Sequence, residues 1–437
     1  MRIFDWDSLS DPQRREVLAR PEQQSRADVA AVATEVIAAV RRDGDSALRA
    51  YTKRFDGVDL ETIAVSAAEF EDARREVSSE QRAALQVAIE NVRRFHQAQV
   101  PQALSLDTLP GVRCERITRP VIAVGLYVPA GSAPLPSAVV MLAIPAAIAG
   151  CRDRILCTAP NKQGRANSAV LVAAELCGIE RVFKVGGAQA IAALAYGTAS
   201  VPKVDKIFGP GNAWVTAAKQ LVASDPAGAA CDLPAGPSEV LVVADDSARA
   251  EFVAADLLAQ AEHDTQAQAI LVTSSQALAK AVAAAVHEQA SQLSRRAILQ
   301  KSLASSRCIV VRDTAAAIAV ANEYAAEHLI LEVREPRRWL AHIEHAGSIF
   351  LGTWSPEPMG DYCSGTNHVL PTYGYARAYS GLSVLDFMKT VTVQELSPDG
   401  LRNLGPIAVT LANLEGLDAH AGAVARRLAV LAAEKRS

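Results

Sequence analysis

Aromatic residues and paired cysteines are scarce in this chain of 437 residues. Phe, Trp and Tyr make up 5% of the sequence, whereas half of all residues are hydrophobic, with alanine and valine dominant. A large aromatic core is therefore excluded, and small-residue packing of helices on sheets, typical of α/β proteins, is favoured. The seven cysteines are scattered and include no CxxC pair. This argues against both a disulfide framework and a cysteine zinc knuckle.

Charge of one sign is also missing as a pattern. The formal net charge is -4, and Lys, Arg, Asp and Glu are interspersed without a basic stripe. A nucleic-acid backbone is therefore not the expected partner. The first residues, MRIFDWDSL, carry acids where a signal peptide needs a basic region followed by an apolar one. We therefore expect a cytoplasmic protein.

One stretch without any charge, from Pro120 to Cys151, is long enough to cross a bilayer. Prolines and glycines interrupt it repeatedly, and such residues break helices and favour turns. They are Pro129, Pro134, Pro136, Pro145, Gly125 and Gly131. We interpret this stretch as a buried strand, a turn and a helix, and expect no membrane partner.

The length exceeds what one core usually holds, so several domains are expected. The first hundred residues have helical periodicity, and from Val121 short β-rich runs alternate with alanine-rich helices. This predicts an α/β fold with two Rossmann-like parallel-sheet domains and helical N-terminal and C-terminal extensions. The N-terminal helices are assigned to the domain formed by the later set of strands, from residue 238 onward. The predicted segments are a helical arm (1–24), a discontinuous domain (25–108 with 238–382), a second domain (109–237) and a helical tail (383–437).

Two polar segments far apart in the chain, QAEH (Gln260–His263) and EGLDAH (Glu415–His420), could supply metal ligands. In QAEH, Gln260 and His263 are three residues apart, so on a helix they share one face. Asp361 and His420 would complete the four protein ligands that zinc accepts. Each also has an ordinary interpretation: a solvent-facing pair, a turn acid after a glycine and, for His420 and Glu415, surface positions.

The dipeptide Glu327-His328 follows a helical pattern and precedes the apolar run LILEV. A carboxylate that activates water and an imidazole that titrates near neutrality are the tools of hydride transfer followed by hydration. His368, in SGTNHVLP, either binds substrate or fixes its own loop. The residues around it favour an irregular site loop after Asp361.

Three predicted strands end in small residues just before a helix, in GLYVPAGS, VGGAQA and FGPGNAW. Helix N-termini and close backbone approach suit a pyrophosphate or nicotinamide ligand. The strict GxGxxG fingerprint is absent, because Trp214 stands where the third glycine belongs. Plain tight turns are therefore the competing interpretation.

Long strings in this sequence closely resemble the histidinol dehydrogenase family, most densely from Val121 to His420. The strings are GLYVPAGSAPLPS, VGGAQAIAALAYG, VPKVDKIFGPGNAWV, LPAGPSEVLV, LLAQAEH, EHLIL, SIFLGTWSPE, GDYCSGTNHVLPTYGY and TVQELS. The resemblance implies an NAD-dependent enzyme with one zinc ion per subunit. It would oxidise L-histidinol to L-histidine through L-histidinaldehyde with two NAD, as the last step of histidine biosynthesis.

The resemblance also implies a role for individual residues. Zinc would be held by Gln260, His263, Asp361 and His420. Glu327 and His328 would be the acid/base pair. Substrate contacts would come from Ser238, Gln260, His263, Glu327, His328, Asp361, Glu415 and His420. Contacts with NAD would come from Tyr127, Gln189 and Asn212.

The family forms an intertwined homodimer, so the C-terminal tail is expected to deliver Glu415 and His420 into the partner's site. Cys231 and Cys363 deserve attention because thiols near zinc can bind metal or oxidise. Two rival interpretations remain, a zinc-dependent hydrolase and a catalytically silent relative on the same fold. A hydrolase would not need the strand-end segments around Tyr127, Gln189 and Asn212.

Overall fold

A computed structural model of the chain describes residues 1–21, 26–130, 134–234 and 236–434. It divides into two compact units, Met1–Gln99 with Val121–Phe387, and Val100–Pro120 with the chain from Met388 onward. Among the described residues, no helix combines the length and the apolar character needed to cross a membrane. Parts of the predicted arm (22–24) and tail (435–437), together with Gly131 and the alanine of LPAGPSEVLV, lie outside the described residues.

The strands are β1 (Arg2–Asp5), β2 (Leu104–Leu109), β3 (Val112–Pro120), β4 (Ala123–Val128), β5 (Asp153–Thr158), β6 (Arg181–Lys184), β7 (Lys206–Phe208), β8 (Ala230–Cys231), β9 (Glu239–Ala244), β10 (Gln268–Thr273), β11 (Arg307–Val310), β12 (His328–Glu332), β13 (Ser348–Leu351) and β14 (Met388–Leu396). The helices are α1 (Asp11–Val17), α2 (Arg26–Asp43), α3 (Asp45–Phe55), α4 (Ala67–Glu76), α5 (Ser79–Gln97), α6 (Pro136–Ala149), α7 (Ser168–Leu176), α8 (Gly187–Tyr196), α9 (Ala213–Ser224), α10 (Ala250–Ala261), α11 (Gln276–Ala290), α12 (Arg296–Ser305), α13 (Thr314–Tyr324), α14 (Glu357–Tyr362), α15 (Pro398–Leu414) and α16 (Asp418–Glu434).

The first unit contains a parallel five-stranded sheet in the order β6-β5-β4-β7-β8. Its strands read as continuous apolar runs because helices cover both faces of such a sheet. The order reverses direction between β4 and β7, and ligands of open α/β sheets bind outside the carboxyl ends of strands at this point. Gly209 follows β7 with a φ of 126°, and a Cβ there would collide with the carbonyl oxygen of Tyr127. The glycine therefore lets the ends of β4 and β7 approach each other.

The same unit contains a six-stranded parallel sheet in the order β1-β11-β10-β9-β12-β13. Leaving β1 aside, it repeats the strand order of the first sheet, with its reversal between β9 and β12. Two buried apolar clusters flank the strands, one including Leu241, Ile270 and Leu329 and the other including Val240 and Leu271. The predicted α/β fold with two Rossmann-like parallel sheets is confirmed.

The N-terminal region differs from the prediction in two respects. The arm is not wholly helical, because β1 pairs in parallel with β11 at the edge of the six-stranded sheet. Helices α2–α5 pack on the elements of the five-stranded sheet, and residues of α2 such as Val36 share a buried cluster with Tyr127 and Leu194. An apolar stripe predicts that a helix is buried but does not specify which sheet receives it. The domain boundaries themselves stay a prediction.

The second unit is a three-stranded antiparallel sheet, in the order β14-β3-β2, followed by a pair of contacting helices, α15 and α16. The tail is therefore not wholly helical as predicted, because β14 (MKTVTVQEL) pairs with β3 along its whole length. Gly111 turns between β2 and β3 with a φ of 80°, and a Cβ there would collide with Ser397. A charged, alternating strand such as β14 becomes recognisable only together with its distant pairing partner.

Candidate active site and metal centre

Glu327 and His328 lie where β12 begins, and β12 runs between β9 and the edge strand β13 of the six-stranded sheet. Both residues are buried, with 6% and 2% of their surface exposed. A carboxylate oxygen of Glu327 lies 3.7 Å from Nδ1 of His328. Two ionisable groups withdrawn from water at this distance are a common mark of a functional site.

The surroundings fix the orientation of both side chains. Glu327 accepts a hydrogen bond of 2.8 Å from the backbone N–H of Glu239. Nδ1 of His328 lies 2.8 Å from Oε1 of Gln260 and 3.2 Å from the carbonyl oxygen of Glu239. Both neighbours of Nδ1 are acceptors, so Nδ1 carries the proton and Nε2 is the free nitrogen.

The free nitrogen of His328 faces carboxylates. Among the described residues, the carboxylates nearest to Nε2 are those of Asp361 at 3.6 Å and Glu357 at 3.9 Å, both beyond hydrogen-bond length. Desolvation lowers the pKa of His328, but the carboxylates of Glu327, Asp361 and Glu357 outweigh it and raise the pKa to about 10. Desolvation raises the pKa of Glu327 to about 8, against the opposing charge of His328. Without a further cation, the site therefore holds a tightly coupled set of acids around one imidazole.

A group able to hold a metal ion lies beside this pair. Ligand atoms of His263, Glu357 and Asp361 lie within 4.8 Å of one another. Gln260 adjoins the same place through His328, and Oε1 of Glu357 is buried without a partner among the described residues. Imidazole, amide and carboxylate donors are a set that zinc accepts, and orphaned buried polar atoms are expected where a ligand belongs. The residues present therefore fit a zinc ion.

The local path of the chain explains how the predicted ligands meet. Gln260 lies in the last turn of α10, but the helix ends at Ala261 and His263 follows in the turn beyond it. His263 is thus not on the helix face as predicted, although its N–H still donates to the carbonyl of Gln260. The pKa of His263 is lowered mainly by desolvation, with Asp361 opposing, which keeps the ring neutral for a metal.

Glu357 is the site residue that the sequence reasoning missed. Glu357 is 1% exposed, and its Oε1 has no hydrogen-bond partner among the described residues. Desolvation raises its pKa to about 9, although His328 acts in the opposite direction. The available signal was an acid between Pro356 and Pro358, shortly after the strand β13. The two prolines begin the short helix α14, which also carries Asp361.

A single cavity of about 1250 Å³ links this group to the carboxyl edge of the five-stranded sheet. Tyr127, Gln189 and Asn212, predicted from three separate strand ends, all line it, and so does His263. Asn212 caps α9 by accepting N–H bonds of 3.1 Å from Trp214 and Val215. The Tyr127 hydroxyl accepts a bond of 3.1 Å from the N–H of Gly187 at the start of α8. The strand ends thus share one cavity with His263, the member of the metal-capable group that lines it.

Other predicted residues have less direct support. Ser238 directly precedes β9, and its carbonyl accepts a hydrogen bond from Gln268. His368 has a buried Nε2 without a partner, so both interpretations of it stay open. Burial raises the pKa of the Cys231 thiol to about 12, which argues against a reactive thiolate. Cys363 lines the cavity.

Glu415 and His420 belong to the second unit. They flank the connection between α15 and α16, and both are exposed. Their predicted contribution to the metal and substrate site stays a prediction.

Comparison with known proteins bears on this arrangement. The family model for histidinol dehydrogenase matches residues 18–428. The chain belongs to the histidinol dehydrogenase family. It is 55% identical over 432 residues to the histidinol dehydrogenase of Xanthomonas euvesicatoria pv. vesicatoria, covering 99% of this chain and all of that protein. The corresponding identity with the Vibrio vulnificus histidinol dehydrogenase is 52% over 433 residues, with the same coverage.

A solved histidinol dehydrogenase from Elizabethkingia anophelis has the same fold. The TM-score is 0.95 at 44% sequence identity, covering 99% of this chain and 98% of that structure. The resemblance read from the sequence is therefore confirmed at the level of family and fold. The protein is an oxidoreductase of the histidinol dehydrogenase type, and an NAD-dependent one, as the family is.

Proposed function

We propose that this enzyme oxidises L-histidinol to L-histidine through L-histidinaldehyde, using two NAD and one zinc ion per subunit, in the last step of histidine biosynthesis. One observation carries the proposal. The cavity that Tyr127, Gln189 and Asn212 line also reaches His263, beside the buried Glu327-His328 pair. A long cofactor and a small metal-binding substrate can therefore meet in one cavity.

Gln260, His263 and Asp361 would hold the zinc from this subunit, with His420 as the proposed fourth ligand. When bound, the ion would orient the imidazole and amino nitrogens of the substrate, and its positive charge would offset the surrounding carboxylates. With that charge in place, His328 can be neutral at physiological pH and accept a proton.

His328 would accept the alcohol proton at Nε2 as hydride leaves the substrate carbon, because Nδ1 is held by acceptors. Glu327 would then remove a proton from the water that adds to the aldehyde. A pKa raised by burial suits a general base that works near neutral pH. Burial of both residues keeps the aldehyde away from bulk solvent.

The test is the stoichiometry of NADH formation with limiting L-histidinol. Two NADH per histidinol are expected, and one NADH with free aldehyde would overturn the four-electron reaction. In parallel, His328→Ala should slow turnover by about a hundredfold or more with the zinc content unchanged. Loss of zinc from this variant would contradict the role assigned to His328.

A zinc-dependent hydrolase would use the same ligands and Glu327, but it would not require the cavity at the strand ends. Titration with NAD distinguishes the two functions. If the protein binds NAD and Asn212→Ala weakens that binding, the result favours the dehydrogenase. A catalytically silent relative would bind NAD and form no NADH.

A further inference from the structure

The cavity contains an acidic residue at the place where dinucleotide-binding folds recognise ribose. In the strand order β6-β5-β4-β7-β8, β4 is the first strand along the chain and β5 the second. Folds of this order commonly carry an acid after the second strand, which accepts a hydrogen bond from the adenosine 2′-hydroxyl. Here β5 ends at Thr158 and is followed by Ala159 and Pro160, so the strand itself supplies no acid.

Asp56 supplies a carboxylate there from a different element. It follows directly after α3, and its side chain lines the cavity together with Ala159. Lys162, in the loop after β5, donates a hydrogen bond of 2.8 Å to the backbone carbonyl of Asp56. This bond ties the end of α3 to the carboxyl end of β5.

One oxygen of the Asp56 carboxylate has no hydrogen-bond partner among the described residues. Oδ2 of Asp56 is buried and accepts no hydrogen bond. Oε1 of Gln189, which lines the same cavity, is also buried without a partner. Acceptor atoms left unpaired beside a cavity can be satisfied by a ligand that brings hydroxyl donors.

The charge of this region distinguishes between two ligands. A carboxylate accepts a hydroxyl proton but repels a phosphate group. Arg54 also lines the cavity, with its guanidinium 5.3 Å from the centre of the Phe55 ring. Arg54 could bind a 2′-phosphate if the charge of Asp56 were removed.

We propose that Asp56 accepts a hydrogen bond from the 2′-hydroxyl of the adenosine ribose of NAD and thereby excludes NADP. This inference depends on the proposed use of NAD at this cavity. Asp56 takes the role of the acid that such folds carry after the strand corresponding to β5. It determines cofactor specificity without touching the reacting atoms.

The experiment compares NAD, 2′-deoxy-NAD lacking the adenosine hydroxyl, and NADP as substrates of the zinc-loaded enzyme. The wild-type enzyme should prefer NAD over 2′-deoxy-NAD by about 10- to 100-fold in kcat/KM, as expected for a hydrogen bond to a charged group. In Asp56→Ala this preference should fall to less than about threefold. In Asp56→Asn the ratio of NADP to NAD activity should rise at least about tenfold, since Arg54 remains.

Asp59→Asn is the matched control, because Asp59 is an exposed acid paired with Lys53 on the surface. It should leave all three cofactor preferences unchanged. Full retention of the 2′-hydroxyl preference by Asp56→Ala, or its absence in the wild-type enzyme, would overturn the inference. Thermal unfolding of each variant identifies any loss of fold, and Asp56→Asn keeps the shape of the side chain.

Isothermal titration of the same cofactors separates this inference from the proposed function. If the wild-type enzyme forms no NADH from histidinol, the proposed function fails. The inference would still be supported if the wild-type enzyme binds NAD more tightly than 2′-deoxy-NAD and the Asp56 variants lose that difference. It would be overturned if neither removal of the 2′-hydroxyl nor substitution of Asp56 changes the affinity.

Discussion

At the scale of single residues, Glu357 shows how burial changes the chemistry of a carboxyl group. Its pKa is raised to about 9, mainly by desolvation, so without a metal it holds a proton at neutral pH. A cation bound beside Asp361 and His263 would favour loss of that proton. Glu357 would thus have a different charge in the metal-free enzyme and in an enzyme that holds the proposed metal ion.

Glu357→Gln tests this description. The replacement is isosteric and neutral, like the protonated acid, so the metal-free protein should keep its melting temperature within a few degrees. Zinc affinity, or kcat/KM for histidinol in zinc-saturated enzyme, should fall by about tenfold or more, since the amide cannot become a carboxylate. Zinc titration and steady-state kinetics provide the measurements.

The exposed Glu344→Gln is the control and should change neither quantity. A Glu357→Gln variant with normal zinc affinity and normal kinetics would make Glu357 a purely structural residue. Sequence reasoning predicted Glu327 and His328 because the two types of group adjoin in the chain. Glu357 lies close to them only because α14, which Pro356 and Pro358 begin, places it there. No local pattern of residue types predicts that contact.

At the scale of elements, α10 and β12 bring two buried carboxyl groups together. Asp256 on α10 is 6% exposed, and Glu332 at the end of β12 is 3% exposed. Desolvation, followed by the charge of Glu332, raises the pKa of Asp256 to about 7. Glu332 itself accepts a hydrogen bond of 3.1 Å from Thr353. The folded protein therefore holds a proton on Asp256 that the unfolded chain releases above its ordinary pKa of 3.8.

This proton makes stability depend on pH. Between about pH 4 and pH 7 the folded state binds more protons at Asp256 than the unfolded state, so its contribution to stability declines as pH rises. Asp256→Asn removes the titrating group. Relative to wild type, the variant should gain stability as pH rises and be more stable by up to a few kcal/mol at pH 8, at about 1.4 kcal/mol per pKa unit.

Denaturant unfolding at pH 5 and pH 8 measures this difference, with the exposed Asp59→Asn as control. A difference between Asp256→Asn and wild type that is the same at both pH values would contradict a raised pKa at Asp256.

Arg20, which follows α1, forms a buried ion pair with Glu239 of β9. Arg20 donates two hydrogen bonds to Glu239, one of 2.9 Å, and its guanidinium lies 4.1 Å from the centre of the Tyr324 ring. The Glu239 carboxylate is 3% exposed, and its backbone N–H donates to Glu327. The arm therefore supports the geometry of the acid/base pair from a distance.

Arg20→Met should destabilise the protein by about 3–5 kcal/mol, because it leaves the Glu239 carboxylate buried and unpaired. Arg20→Met combined with Glu239→Gln should recover a large part of that loss, since the amide carries no charge. Chemical denaturation of both variants measures whether Arg20 stabilises the protein through its charge or through packing. Equal loss in the single and the double variant would show that Arg20 acts by packing alone.

Elements differ in how far their sequence predicts them. The strands β4, β5, β9 and β10 and the helices after them are local patterns, and they form as predicted. The packing of α2–α5 and the pairing of β14 with β3 depend on partners far away in the chain. Amphipathicity and alternation indicate that a face is covered, not by which neighbour.

At the scale of the whole molecule, the second unit exposes many large apolar side chains. They lie on both its sheet and its helices, and soluble proteins rarely leave such groups uncovered together. They are Leu104, Leu106, Leu109, Val391, Leu396, Ile407, Leu411, Leu414, Leu417 and Val430. This supports the proposal of a homodimer, in which the tail carrying Glu415 and His420 serves the partner's site.

Complementation between two inactive variants tests that proposal. His328→Ala would disable the proposed acid/base pair, whereas His420→Ala would remove the proposed fourth zinc ligand. If the tail acts in trans, a mixed dimer has one site with both residues intact and one site with neither. Random association makes about half of the dimers mixed, so co-expression should restore about a quarter of wild-type activity. If His420 serves its own subunit, every site carries one of the two defects, and the mixture should stay as inactive as either variant alone. Size-exclusion chromatography with light scattering checks that the mixture is dimeric. The matched control is a mixture of His328→Ala with Glu327→Gln. Both of these changes fall in the same unit, so no exchange of tails can restore activity.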